Sequence, residues 1–272
     1  MCRYAGAVWI DDETTWPSRM LDLLDGGFEQ MAVYEAERQM IDKLCRENAL
    51  LRIRSPRPAG TESRLMLLAA LNRELRDCRI CGYHCTRLHE AEIVSIRREG
   101  LRPLSTKLAR QRIERMVRLG VLPQHLAQRL LSKNAVDDHA GARCGMVWLV
   151  FTRNLLKDEG GVERLFRSWG GEALYYYYEQ DATIGPALRS IGMPAIIEAA
   201  VPALSVDSFV SVGERFLNAY LARRRISLEH GSAMEGHVQA AIPGRDILRI
   251  ITIEDPAFEA LTCCESWSTP LK

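Results

Sequence analysis

Long apolar runs are absent from this sequence of 272 residues. Its apolar runs Leu65 to Leu71 and Met146 to Phe151 are far shorter than the ~20 residues that a membrane-spanning helix needs. A strong charge of one sign is also missing, because 36 lysines and arginines against 35 aspartates and glutamates give a net charge of +1. The whole-chain charge therefore gives no sign of a nucleic-acid or membrane partner, and we expect no membrane partner.

Signals of secretion are lacking as well. The first residues carry charge at Arg3, Asp11 and Asp12 without the apolar stretch of a signal peptide. The eight cysteines are unevenly placed, which is unlike the framework of a small disulfide-bonded domain. These observations predict a cytoplasmic protein with reduced thiols.

A glycine-rich phosphate-binding loop is also missing, which disfavours an ordinary Rossmann or P-loop nucleotide site. What is present is the composition of a packed protein, with 47% hydrophobic and 26% charged residues. Short strand patterns alternate irregularly with helical patterns, which is typical of an α+β fold. The predicted strands cover residues 80–86, 146–152, 174–178, 195–200, 236–242 and 247–253.

The first sixty residues are predicted to be mainly helical, with a break at Gly26 and Gly27. Residues 55–60 contain two prolines and a glycine, which do not continue a helix, so they are the best candidate for a linker. Thr61 is suited to cap the helix that follows. The sequence therefore predicts a helical N-terminal accessory region over residues 1–60 and a catalytic domain over residues 61–272.

The most specific motif is Tyr83-His84-Cys85-Thr86, at the end of a predicted strand. Because alternate strand residues point to the same side, His84 and Thr86 are expected on one face. A predicted helix then ends at Gly100-Leu101. This order resembles the opening of ADP-ribosyltransferase domains of the diphtheria-toxin and poly(ADP-ribose) polymerase type, although Cys85 stands where that family has glycine.

Two later segments extend the resemblance, which covers residues 80–254. Residues 170–175, Gly-Gly-Glu-Ala-Leu-Tyr, are similar to the family's strand whose tyrosine stacks on nicotinamide. Glu235, at the start of a late predicted strand, is similar to the family's catalytic glutamate. The resemblance implies a split β-sheet core with inserted helices, and an NAD-dependent mono-ADP-ribosyltransferase that takes NAD as its substrate.

The resemblance also implies roles for individual residues. His84 would bind the adenosine ribose, Tyr175 would stack on nicotinamide, and Glu235 would face the ribose that gains oxocarbenium character. Thr86 would add a hydroxyl contact and Arg87 a phosphate contact. Glu172 and Glu229 compete with Glu235, and the tyrosines at positions 176 and 177 compete with Tyr175.

The activity would be that of an intracellular toxin or defence effector, for which an inhibitory partner protein is a further expectation. Two alternatives stay open. An NAD glycohydrolase would use water as the acceptor, and a catalytically silent module would keep the fold only to bind a partner.

Residues 97–133 carry ten lysines and arginines against two glutamates. The arginines Arg110, Arg112, Arg115 and Arg118 fall on one predicted helix. They form either a solvated helix face or a contact for a macromolecular acceptor, protein or nucleic acid. Cys78 and Cys81, together with His84 or Cys85, have zinc-like local spacing but lack a second ligand pair, so we predict no metal site.

Overall fold

The computed structural model describes residues 6–48, 57–137, 143–228, 231 and 233–271. The described helices are α1 (Ser18–Glu47), α2 (Thr61–Glu74), α3 (Glu90–Glu99), α4 (Thr106–Arg118), α5 (Gln124–Ser132), α6 (Glu159–Arg167), α7 (Glu172–Tyr178), α8 (Ile184–Ser190), α9 (Val212–Arg223) and α10 (Pro256–Thr262). The described strands are β1 (Ala7–Val8), β2 (Arg79–Leu88), β3 (Val147–Val150), β4 (Met193–Pro202), β5 (Glu235–Val238) and β6 (Ile247–Thr252). The predicted α+β class is confirmed. No helix in these ranges is both long and apolar enough to cross a membrane.

The chain forms two compact units. Unit 1 contains residues 1–80 and 202–234, and unit 2 contains residues 81–201 and 235–272. The contacts therefore group α2 and α9 with the N-terminal helix, whereas the sequence prediction divided the chain at residue 60. Ser55, Pro56 and Glu229, which entered the sequence predictions, lie outside the described residues.

In unit 1, α1 packs against α2 and α9. The predicted break at Gly26 and Gly27 is wrong, because α1 continues through both glycines. A Cβ atom on Gly27 would lie 2.9 Å from Cδ2 of Leu67 in α2, so the missing side chain allows the two helices to approach closely. Strand β1 pairs in parallel with Arg79 and Ile80, the first residues of β2.

Unit 2 is built on a sheet with the strand order β5-β3-β2-β4-β6. Strand β3 pairs antiparallel with β2 and β5, and β4 pairs antiparallel with β6. Tyr83 lies opposite Val150, and Trp148 lies opposite His237. Five of the six predicted strands are confirmed, with end points that differ by a few residues.

The sixth predicted strand, over residues 174–178, is wrong. These residues belong to α7, which begins after Gly170 and Gly171 turn the chain with positive φ angles of 89° and 60°. Leu174, Tyr175 and Tyr178 are buried whereas Tyr176 is 57% exposed, which is the spacing of one helix face. Packing of that face overrides the preference of tyrosine for strands.

Helices α4, α5, α7 and α8 share an apolar core beside the sheet of unit 2. It contains Ile113, Met116, Leu130, Trp169 and Leu188. Helix α4 buries this apolar face and carries its arginines elsewhere on its surface. This apolar core therefore anchors the arginine-rich helix α4.

Candidate functional site

Unit 2 contains a cavity of about 590 Å³, a size typical of small-molecule sites. Its walls come from β2, α3, α4, β3 and residues 170–173. Six arginines and three glutamates line it: Arg98, Arg102, Arg112, Arg115, Arg118, Arg143, Glu92, Glu99 and Glu172. This excess of positive charge favours an anionic ligand.

His84 is a partly buried residue of the cavity wall. Its Nδ1 lies 2.8 Å from the carbonyl oxygen of Trp148 in β3. A carbonyl oxygen only accepts, so Nδ1 carries the proton and Nε2 of the neutral ring is an acceptor. Burial lowers the pKa of His84, and the positive charges of Arg112 and Arg143 lower it further against the opposing effect of the Trp148 hydrogen bond. The ring is therefore neutral at pH 7 and suited to accept a hydrogen bond from a ligand hydroxyl.

Arg143, Trp148 and Glu172 stand together in the same cavity. The Nε atom of Arg143 lies 2.9 Å from Oε2 of Glu172. The Arg143 guanidinium carbon lies 4.7 Å from the centroid of the Trp148 ring. Since the backbone of Trp148 also holds His84, we name His84, Arg143, Trp148 and Glu172 the inner cluster.

A second polar group supports the wall where α3 meets α4. Glu92 is 5% exposed and accepts hydrogen bonds from Nε of Arg112 (2.6 Å), Nε1 of Trp169 (2.7 Å) and the backbone N–H of His89 (3.0 Å). Burial alone would raise the pKa of Glu92, but the Arg112 charge and these hydrogen bonds hold it below its usual value. Glu92 therefore remains ionised and fixes Arg112 in the wall.

Two wall residues have buried donors that find no acceptor in the described part of the chain. These donors are Nη2 of Arg112 and Nε1 of Trp148. A buried donor without a partner is costly and uncommon in native proteins. The cavity wall thus combines fixed positive charge with unsatisfied hydrogen-bonding capacity.

The arginines of α4 have different surroundings and do not form one continuous surface. Arg112 and Arg115 are partly buried and bind the neighbouring α3, Arg115 through the carbonyl oxygen of Ala91 at 2.9 Å. Arg118 is exposed and lines the cavity, as do the exposed Arg98 and Arg102, so these three form its open rim. Arg110 is exposed but is not among the described residues that line the cavity.

Of the residues predicted from sequence, His84 and Thr86 line the cavity, and Thr86 is buried. Cys85 also lines it and is 5% exposed, and burial raises the pKa of its thiol. Glu172, the competing carboxylate, lies in the inner cluster. The structure thus brings the strand motif and the Gly-Gly-Glu segment to one place.

Three other predicted residues are not among the described residues that line the cavity. Tyr175 lies in α7, and the guanidinium carbon of Arg164 lies 4.8 Å from the centroid of its ring. Burial raises the pKa of Tyr175 to about 12. Glu235 is exposed at the start of β5, opposite Val150. Arg87 donates to the carbonyl oxygens of Ile191 (2.8 Å) and Phe166 (3.3 Å).

Sequence reasoning missed Arg143 and Trp148 in the inner cluster. Trp148 was visible only as part of a strand, and its alternation with the buried Val147 and Leu149 would have placed it on the opposite face from both. Arg143 follows a polar segment and carries no local signal. Its place depends on Glu172, 29 positions later in the chain.

No group of three or more histidine, cysteine, aspartate or glutamate side chains is arranged to hold a metal ion within the described ranges. Comparisons of the chain with protein-family models, with curated proteins and with solved structures find no significant match.

Proposed function

We propose that this protein cleaves NAD at the cavity of unit 2 and transfers ADP-ribose to a macromolecular acceptor. The observation that carries the proposal is the convergence of His84, Thr86 and Glu172 in one arginine-lined cavity. A dinucleotide is an anionic ligand with ribose hydroxyls and aromatic rings. The cavity offers a counterpart for each of these groups.

Charge and hydrogen bonding support this choice of ligand. The excess of arginines matches a diphosphate, because guanidinium groups bind phosphate oxygens through paired hydrogen bonds. The Nε2 acceptor of His84 suits a ribose hydroxyl. Trp148, in the same wall, offers an aromatic surface for a base or for nicotinamide.

The reaction breaks the bond between ribose C1′ and the nicotinamide nitrogen. The bonding electrons leave with nicotinamide, and positive charge develops on the ribose ring. An acceptor group then bonds to C1′ and loses its proton. A carboxylate close to the ribose stabilises this charge more in the transition state than in the bound substrate.

Glu172 is the carboxylate that we place in this role, because it lies in the inner cluster with His84 and Trp148. Glu235, which the family resemblance favours, remains the competing prediction. The exposed rim arginines Arg98, Arg102 and Arg118 stand where an acceptor would approach the cavity. We therefore place the acceptor at the rim, whether it is a protein or a nucleic acid.

The test is incubation of the purified protein and cell extract with NAD labelled in its adenylate part. We expect label to enter a macromolecule while nicotinamide is released. Glu172→Gln should lower transfer at least about 100-fold, as loss of a group that stabilises transition-state charge does elsewhere. Glu114→Gln, on the exposed side of α4, is the control for general effects of removing a carboxylate.

The other outcomes separate the alternatives. Nicotinamide release without a labelled macromolecule would identify a glycohydrolase. If NAD is neither consumed nor bound, the proposal is wrong. If Glu235→Gln abolishes transfer and Glu172→Gln does not, the activity stands and the carboxylate named here is incorrect.

A further inference from the structure

Arg143 has two partners in the inner cluster, and its ion pair with Glu172 is partly exposed. Its side chain is 34% exposed, and the side chain of Glu172 is 36% exposed. An ion pair with this much exposure contributes little to stability, typically below about 1 kcal/mol. The contact between Arg143 and Glu172 is therefore easily exchanged for a stronger one.

A diphosphate is such a stronger partner for Arg143. It carries more negative charge than one carboxylate and presents several oxygens to the planar guanidinium. The other arginines of the cavity draw the same group into it, since they outnumber the glutamates there. His84 and Arg143 both contact Trp148, so a ligand held by His84 is close to the Arg143 guanidinium.

We infer that a diphosphate entering the cavity displaces the Arg143 guanidinium from Glu172 and frees that carboxylate. Arg143 is then a positioning residue, which occupies Glu172 until the phosphates of the substrate are bound. In the catalytic setting this inference rests on the proposed function, because the freed carboxylate would then accept a hydrogen bond from the ribose. Binding of the diphosphate, which does not react, thus makes the Glu172 carboxylate available to the ribose, which does.

The Trp148 ring provides a direct readout of this displacement. A guanidinium that leaves the indole changes the surroundings of the ring, and hence its fluorescence. The protein should be titrated with inorganic pyrophosphate, and separately with sodium chloride at the same ionic strength. We expect a saturable change in emission with pyrophosphate and none with sodium chloride.

Two variants make the signal specific. Trp148→Phe removes the reporter and should abolish the change, although four other tryptophans remain. Arg143→Gln should also abolish it and weaken pyrophosphate binding, measured by calorimetry, at least about tenfold. The inference is overturned if pyrophosphate does not bind, or if it binds without altering Trp148 emission.

Turnover gives a second readout that a merely structural role would not produce. Arg143→Gln leaves Glu172 without its guanidinium partner whether or not phosphate is present. The variant also lacks the guanidinium that binds the diphosphate, so its kcat/KM for NAD should fall at least about tenfold. Cleavage of nicotinamide riboside, which has no diphosphate, should stay the same or increase. Equal losses for both substrates would mean that Arg143 only maintains the fold of the site.

The two proposals fail in different ways. A pyrophosphate response without NAD cleavage would reject the proposed function and keep the displacement of Arg143. NAD cleavage without the pyrophosphate response would keep the function and reject the displacement.

Discussion

The Nε atom of Arg112 lies 2.6 Å from Oε1 of Glu92, and this contact joins α4 to α3 across twenty positions of the chain. The Arg112 guanidinium also lies 5.0 Å from the centroid of the Trp169 ring, whose indole N–H donates to the same carboxylate. One buried carboxylate therefore holds both a cationic wall residue of the cavity and a tryptophan of the adjoining apolar core.

Replacing Glu92 with glutamine should destabilise the protein. The amide keeps the shape of the side chain but leaves the Arg112 charge without its counter-charge in a poorly solvated place. Breaking such a buried pair costs about 3 kcal/mol or more. Urea unfolding monitored by circular dichroism measures this loss.

The exposed Glu114→Gln on the same helix serves as the control, with a change of no more than about 0.5 kcal/mol. Equal stability of Glu92→Gln and the original protein would show that the buried pair contributes nothing net.

The stability of the protein should fall as the solution becomes acidic, partly because of His84. The pKa of His84 is lowered in the folded protein, mainly by burial. Above the unfolded-state pKa of about 6.5, the ring is neutral in both states and this contribution is fully present. Below it the unfolded chain binds the proton more readily, so unfolding is favoured by up to about 1.4 kcal/mol for each pH unit.

His84→Asn tests this dependence, because asparagine offers an N–H to the Trp148 carbonyl but does not titrate. Unfolding free energies at pH 7.5, 6.5 and 5.5 should fall more steeply for the original protein than for the variant. If the unfolding free energies of the two proteins change equally with pH, the pKa of His84 is the same in the folded and unfolded states.

Gly100 ends α3 at a place where a side chain does not fit. Its φ angle is +89°, and a Cβ atom there would lie 1.8 Å from the carbonyl oxygen of Ile242. Gly100→Ala should therefore cost about 3 kcal/mol or more, since backbone strain and a contact with rigid backbone act together. Chemical unfolding gives the difference in free energy.

Gly120 is the matched comparison, with φ +71° and no neighbouring atom within 4 Å of a Cβ. Gly120→Ala carries only the left-handed strain, roughly 1–2 kcal/mol. If the free energy of unfolding falls equally in the two variants, the close approach of Ile242 contributes nothing to the cost of Gly100→Ala.

Local patterns were sufficient to predict β2 and the shared placement of His84 and Thr86. Alternation along one strand is set by the chain itself, and both residues line the cavity. The end of α3 at Gly100 could be predicted for the same reason, because the stop signal lies next to the helix. Such features depend on only a few neighbouring residues.

Tyr175 shows where local reasoning fails. Four consecutive tyrosines favour a strand by intrinsic preference, yet they lie in α7 because Leu174 and Tyr178 pack into a helical core. Local sequence patterns could not predict the inner cluster, for a related reason. It joins residues from three separate stretches of the chain, and only the packing of these stretches brings Arg143 to Glu172.

Unit 2 is formed by two stretches of the chain, and the ribosome completes the first stretch before it reaches the second. Every described wall residue of the cavity lies between His84 and Ile197, whereas β5 and β6 follow residues 202–234 of unit 1. A nascent chain that has reached Val201 thus contains the cavity residues, but β3 and β4 still lack their outer neighbours and expose unpaired edges. The sheet is complete only after residues 235–252 have been synthesised, so β5 and β6 cover edges that the earlier strands leave open.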